Sequence, residues 1–207
     1  VKEQIQDKRF RQRKNTSQKT YAGSDFLDKQ LYEFESSLYW IINQDDILSI
    51  PCVRDIVCDP YILEIAKNYL GCNPILAQTN LWYTCIGPKD YEKYGSFQTQ
   101  RFHQDYDDIN FIKIFIYLSD VTEKNGPHHY VAGSLNNRIL PKNYRISKRI
   151  PDEFLKKNYK DKLVKHLGGK GTIIFENTHG FHKGSPVLEG HRLILQLQFC
   201  STMLFKQ

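Results

Sequence analysis

Three short stretches of this chain carry side chains able to hold a metal ion or an organic anion. The first is Phe102-His103-Gln104-Asp105. On an extended backbone residues i and i+2 project to the same side, so His103 and Asp105 can bind one metal from adjacent directions while Gln104 faces away. The second is the turn Gly180-Phe181-His182-Lys183-Gly184, which can bring a sequence-distant imidazole beside that pair. Two histidines and one carboxylate leave three positions on Fe(II), enough for a bidentate organic ligand and dioxygen. His179 lies in the same turn and competes with His182; His128, His129, His166 and His191 read as solvated or local hydrogen-bonding groups. The third is Arg192, ten residues beyond His182. Its planar guanidinium can pair bidentately with the far carboxylate of a diacid chelated to the metal, which favours His182 over His179 as third ligand.

These groups sit at the edges of predicted strands. From Pro74 onward, β-rich runs at 75–86, 111–118, 171–175 and 193–199 are separated by Gly, Pro, Asn and Asp, the texture of a mostly antiparallel sheet. Before them the spacing of Leu27, Leu31, Phe34, Leu38 and Ile41 predicts a helix capped by Ser24 or Asp25. Asp59 and Pro60 open another helix that stops at Gly71, with a shorter one near Val53 to Val57. Helices first and strands after predict a jelly roll resting on its own N-terminal helices. Residues 136–165 read as an insertion with one helix at Asp152 to Tyr159.

On the strand at 111–118, Ile112, Ile114, Ile116 and Leu118 form an aliphatic face that should pack on the rest of the fold. Phe111, Lys113, Phe115 and Tyr117 form the other face, which should line the barrel. A lysine there must find an anion or snorkel to water at the rim; a carboxylate of the co-substrate or substrate is the anion expected. Phe115, Asn80 and Tyr83 are further pocket candidates.

Composition narrows the class. The 207 residues are 40% hydrophobic and 25% charged, a globular profile that excludes disorder, collagen and coiled coil. No apolar run approaches the roughly 20 residues of a membrane span. The net charge is +6, of which +5 falls on residues 1–20. That arm reads as solvated, or as a contact for nucleic acid or another anionic surface. It lacks the apolar block of a secretory signal, and five scattered cysteines form no Cys-x-x-Cys pair. A reducing cytoplasm with buried thiols is the expected setting.

Taken together the motifs resemble the Fe(II)/2-oxoglutarate oxygenases, and closely the phytanoyl-CoA dioxygenase family. The resemblance runs from about Asn80 to Cys200 through Arg101-Phe102-His103-Gln104-Asp105, the strand 111–118, Glu123-Lys124-Asn125-Gly126-Pro127, Val131-Ala132-Gly133-Ser134, and Phe175 through Gly184 to Arg192. It implies a mainly β, cupin-like double-stranded β-helix flanked by N-terminal helices. One domain would fill 1–207: a basic arm at 1–20, helical support at 24–71 and a jelly-roll core at 74–200.

By this resemblance His103, Asp105 and His182 hold Fe(II), and Arg192 holds the distal carboxylate of 2-oxoglutarate. Lys113, Phe115, Tyr83 and Asn80 would stand around the co-substrate. Dioxygen would be consumed, succinate and CO2 released, and a small organic substrate hydroxylated. Relatives that halogenate carry a small residue in place of the aspartate, so Asp105 points to hydroxylation. An oxygenase acting on nucleic acid, a non-catalytic jelly-roll binder of a small ligand or metal, and a cupin without 2-oxoglutarate are the competing classes. The near-neutral body, and Gln198 where nucleic-acid demethylases carry a second arginine, speak against the first; Arg192 speaks against the last.

Overall fold

The computed structural model describes residues 1–12, 20–28, 39–42, 44–86, 101–136 and 150–202. The helical region is punctuated by its own residue types. Pro51 opens α3 (Pro51–Val57) after the short α2 (Gln44–Leu48). Asp59 then caps α4 (Pro60–Leu70), its carboxylate accepting from the N–H groups of Tyr61 and Ile62. That helix ends where Gly71 turns left-handed at φ 74°.

Among the described residues ten strands follow the chain order β1 (Arg9–Gln12), β2 (Thr20–Ala22), β3 (Tyr39–Ile41), β4 (Ile75–Cys85), β5 (Phe111–Tyr117), β6 (His128–Val131), β7 (Leu163–His166), β8 (Ile173–Glu176), β9 (His182–Gly184) and β10 (His191–Cys200). The large sheet has the order β2-β1-β3-β4-β10-β5-β8 and the small one β7-β6-β9, all of the pairs antiparallel. A bridge between His103 and His182 extends the small sheet.

Both faces of the central strands are buried, and alternation divides their work. Ile112, Ile114 and Ile116 of β5, Leu193, Leu195, Leu197 and Phe199 of β10, and Leu81 and Tyr83 of β4 pack in one core with Val53, Ile62, Ala66 and Leu70. The opposite face carries Lys113, Phe115, Arg192, Ile194 and Gln196, which line a cavity. The aliphatic and mixed faces expected for residues 111–118 are therefore those observed.

Four expectations change. The basic arm is not solvated throughout: Lys2–Ile5 forms a 3-10 turn, and β1 pairs with both β2 and β3. Ile5 and Phe10, two apolar anchors in a basic stretch, are 0% and 1% exposed, while Arg9 and Arg11 face solvent on either side of Phe10. The helix expected from Ser24 to Ile41 is α1, Gly23–Asp28; Leu31, Phe34 and Leu38 lie outside the described residues. Tyr39–Ile41 is a strand because its backbone pairs with β4, Trp40 opposite Tyr83. Asp25 accepts from the Ala22 N–H, within the turn that leads into α1.

Residues 150–166 are likewise structural rather than inserted. Ile150, Leu155 and Tyr159, the last two on α5 (Asp152–Tyr159), form a second core with Phe102, Val131 and Phe181. Finally, all five cysteines are free thiols, but Cys58 and Cys72 are exposed and only Cys85 and Cys200 are buried. Among the described residues no helix is long and apolar enough to cross a membrane.

Removal of the arm's aromatic anchor tests its role. Phe10→Ala is expected to cost about 3–5 kcal/mol of unfolding free energy, the usual penalty for a fully buried Phe; urea unfolding monitored by tryptophan fluorescence checks it, and a solvated arm would show almost no change.

Candidate functional site

A cavity of about 450 Å3 lies between the two sheets. The small sheet supplies the metal-binding side. His103 and His182 meet across an antiparallel bridge with ring centroids 4.2 Å apart, and Asp105 follows His103 by two residues. One donor atom from each of His103, Asp105 and His182 lies within 4.8 Å of the others. The same local device fixes both imidazoles. His103 Nδ1 is 2.9 Å from the Arg101 carbonyl, and His182 Nδ1 is 3.0 Å from the Gly180 carbonyl. A carbonyl only accepts, so Nδ1 carries the proton and Nε2 keeps its lone pair. Those Nε2 atoms stand 3.7 Å and 3.3 Å from Asp105 carboxylate oxygens. Two imidazole Nε2 atoms, which a metal would bind in place of a proton, and a carboxylate on one side of the cavity fit a divalent metal.

Lys113 reaches this cluster from β5. Its ammonium lies 2.6 Å from Asp105 and 2.7 Å from Asp107, so the anions it meets are the protein's own rather than those of a ligand. Burial by itself would raise the Asp105 pKa, but His182 and Lys113 outweigh it and hold the carboxyl well below 3.8. Burial would likewise lower the Lys113 pKa, and Asp105 and Asp107 instead hold it above 10.5.

Arg192 lines the same cavity from β10. It is 3% exposed, and its Nε has no hydrogen-bond partner among the described residues. Nη1 donates to the Gly126 carbonyl; no described carboxylate lies within ion-pair distance. A Cβ at Gly184 would approach Nη2 to 3.1 Å, so the glycine makes room for the guanidinium. A buried cation without a counter-anion, facing a cavity, is a site for an organic carboxylate.

The remaining predicted residues divide. Phe115 and Asn80 line the cavity. Tyr83 does not: it is fully buried in the helix-facing core and stacks on His191 at 5.1 Å. Strand alternation places Gln78, Asn80 and Trp82 inside and Tyr83 outside. His179 is held by Asn177 and the Asp108 carbonyl and takes no part in the metal cluster. Asp107 also lines the cavity; Asp108 is buried, accepting from Ile109 N–H and Thr202 Oγ1.

His128 is the residue that sequence reasoning missed. It is 5% exposed, lines the cavity, and has Nε2 2.9 Å from Glu176. Burial would raise the Glu176 pKa, and His128 is the main influence that brings it below the ordinary value instead. Glu176 was the available signal, an acid closing the apolar strand Ile-Ile-Phe-Glu that needs a partner once buried.

With this geometry in view, comparison with known proteins is specific. The profile of the family described as phytanoyl-CoA dioxygenase (PhyH) matches residues 41–191. No curated protein matches the chain by sequence. Similar solved structures include SnoK, a non-heme alpha-ketoglutarate-dependent carbocyclase from nogalamycin biosynthesis, at 15% identity and TM-score 0.56 over 80% of this chain and 64% of that one. EctD from S. alaskensis, with 2-oxoglutarate and 5-hydroxyectoine, gives 16% and 0.57 over 79% and 56%. HygX from Streptomyces hygroscopicus, with nickel, 2-oxoglutarate and hygromycin B, gives 13% and 0.55 over 82% and 72%. The shared feature is the fold, a jelly roll; this chain spans less than two thirds of the length of SnoK or EctD.

The Lys113 cluster makes a stability prediction. Lys113→Met leaves Asp105 and Asp107 without their cation and is expected to cost about 3–5 kcal/mol in the metal-free protein; adding Asp107→Asn should recover part of it. Asp105 contributes fully above its unfolded pKa, and that contribution is lost as pH falls through its lowered folded value. Lys113 contributes fully below its unfolded pKa, losing it as pH rises through its raised folded value. The gap between wild type and variant should therefore close on strong acidification, as Asp105 protonates, measured by urea unfolding.

Proposed function

The chain belongs to the phytanoyl-CoA dioxygenase family, and from that premise we propose that it is an Fe(II)- and 2-oxoglutarate-dependent dioxygenase that hydroxylates a small polar molecule. The observation that carries this is the pairing, across one cavity, of the His103–Asp105–His182 donor set with the buried Arg192 guanidinium, which has no carboxylate partner among the described residues. Bound there, Fe(II) would supply activation of dioxygen coupled to decarboxylation of 2-oxoglutarate to succinate and CO2.

The chain's own residues supply position and environment. The Arg101 and Gly180 carbonyls orient the two imidazoles, and Lys113 holds one oxygen of Asp105 so that the carboxylate keeps a single orientation. Arg192 would fix the distal carboxylate of the co-substrate and thereby its direction. Trp82, Phe115 and Ile194 line the space between and limit water. His128 presents its ring to His182 at 5.8 Å with its tautomer set by Glu176. The size of the cavity supports a small molecule over nucleic acid as substrate. Free thiols throughout support a reducing compartment such as the cytoplasm.

Two measurements test this reading. Anaerobic addition of Fe(II) and 2-oxoglutarate should give a visible charge-transfer band, absent in His103→Ala and Asp105→Ala, which should also lose Fe(II) binding by calorimetry and all succinate release. Arg192→Met should weaken 2-oxoglutarate binding by about tenfold to a hundredfold, the worth of a charged hydrogen-bonded pair, with Fe(II) binding retained. Wild-type succinate production by either ligand variant would overturn the assignment.

A further inference from the structure

Lys113 stands between two carboxylates that have different claims on it. Its ammonium is 2.6 Å from Asp105 Oδ2 and 2.7 Å from Asp107 Oδ2, and at 6% exposure it is held away from water. Asp105 belongs to the metal-binding donor set; Asp107, two residues on, lines the same cavity outside that set. One positive charge therefore serves two anions, of which a metal needs only one.

Both oxygens of Asp105 lie beside the histidine donors. Oδ1 is 3.7 Å from His103 Nε2, and Oδ2 is 3.3 Å from His182 Nε2. Whichever oxygen is given to a divalent metal, two further positive charges come onto the carboxylate that already holds the ammonium, and like charges at this range repel strongly where water is scarce. The lysine cannot answer by standing alone, because a buried charge without a partner is costly. Asp107 resolves the conflict: its oxygen is already within hydrogen-bond distance, so the ammonium keeps an anion when Asp105 turns its charge to the metal. Resting on the metal-binding part of the oxygenase reading, we infer that Lys113 is a resident cation that competes with the metal for Asp105, and that Asp107 is a positioning residue that takes over the ammonium when the metal binds.

Linkage gives the two residues opposite signs. Without Lys113 the empty site holds two close carboxylates and gains more from a metal; without Asp107 the lysine has Asp105 alone and gives it up at greater cost. A merely structural pair would weaken metal binding from either side.

The test titrates metal-free wild type, Asp107→Asn, Lys113→Met and the double variant with Co(II) alone, by calorimetry and by the visible d–d absorption of the bound ion. Asp107→Asn should weaken binding by about tenfold to a hundredfold. The double variant should recover most of that loss, and Lys113→Met should bind more tightly than wild type. The Co(II) spectrum should keep its shape in Asp107→Asn, because the donors are unchanged. Unchanged or tighter binding by Asp107→Asn, a double variant no tighter than Asp107→Asn, weaker binding by folded Lys113→Met, or a spectrum altered in Asp107→Asn would overturn the inference. If Lys113→Met does not fold, Asp107→Asn and the double variant decide. Should wild type fail to bind Co(II), the metal-site reading falls and this inference with it; if it binds, failure belongs to the Lys113–Asp107 pair alone.

Discussion

The charged and polar groups on β5 and β10 depend on strands buried on both faces. A strand of that kind cannot send its polar side chains to water, so alternation must give one face to the hydrophobic core and the other to an enclosed space that can satisfy polarity. On β5 the first set is Ile112, Ile114 and Ile116 and the second includes Lys113 and Phe115. On β10 the division is Leu193, Leu195, Leu197 and Phe199 against Arg192, Ile194 and Gln196. The helices exist to cover the first set; the cavity exists because the second must face something other than oil.

From that constraint the electrostatics follow. Lys113 is tolerable inside because Asp105 and Asp107 converge on it, and Glu176 because His128 does. Each pair also limits the freedom of a group beside the metal-binding donors, so the interactions that make burial possible preorganise the site. Arg192 is the exception among these buried charges, having no described carboxylate partner. Such burial of a guanidinium carries a desolvation cost that a bound anion would offset.

The small sheet completes the arrangement by a different principle. It is held by few strands, yet its bridge between residues 103 and 182 sets two imidazoles side by side, their planes tilted by 49°, and each is oriented by a carbonyl two residues before it. Position comes from long-range pairing, orientation from the local turn. The N-terminal strand, though remote from the chemistry, extends the same large sheet and shares the core on which β4 and β10 rest.

The three candidate metal donors and the arginine could be singled out in the chain because His-x-Asp, a distant His and a following Arg are sparse, chemically distinctive types; that they converge on one cavity is a property of the fold. The capped helix from Pro60 and the strand from Phe111 were legible because their periodicity is local. What residue types could not convey was which way a half-polar strand turns and what it meets there. Tyr83 and Trp82 are adjacent aromatics, and only the pairing of β4 with β10 decides that the tryptophan faces the cavity. His128 and Glu176 are 48 residues apart and meet only through the fold. The basic N-terminus looked like a solvated arm because charge is counted along the chain, whereas its place in the sheet is decided by two buried side chains, Ile5 and Phe10, and by backbone hydrogen bonds that no composition records. Local chemistry determined the reactive types; long-range strand pairing, which selects one face for each residue, decided the company they keep.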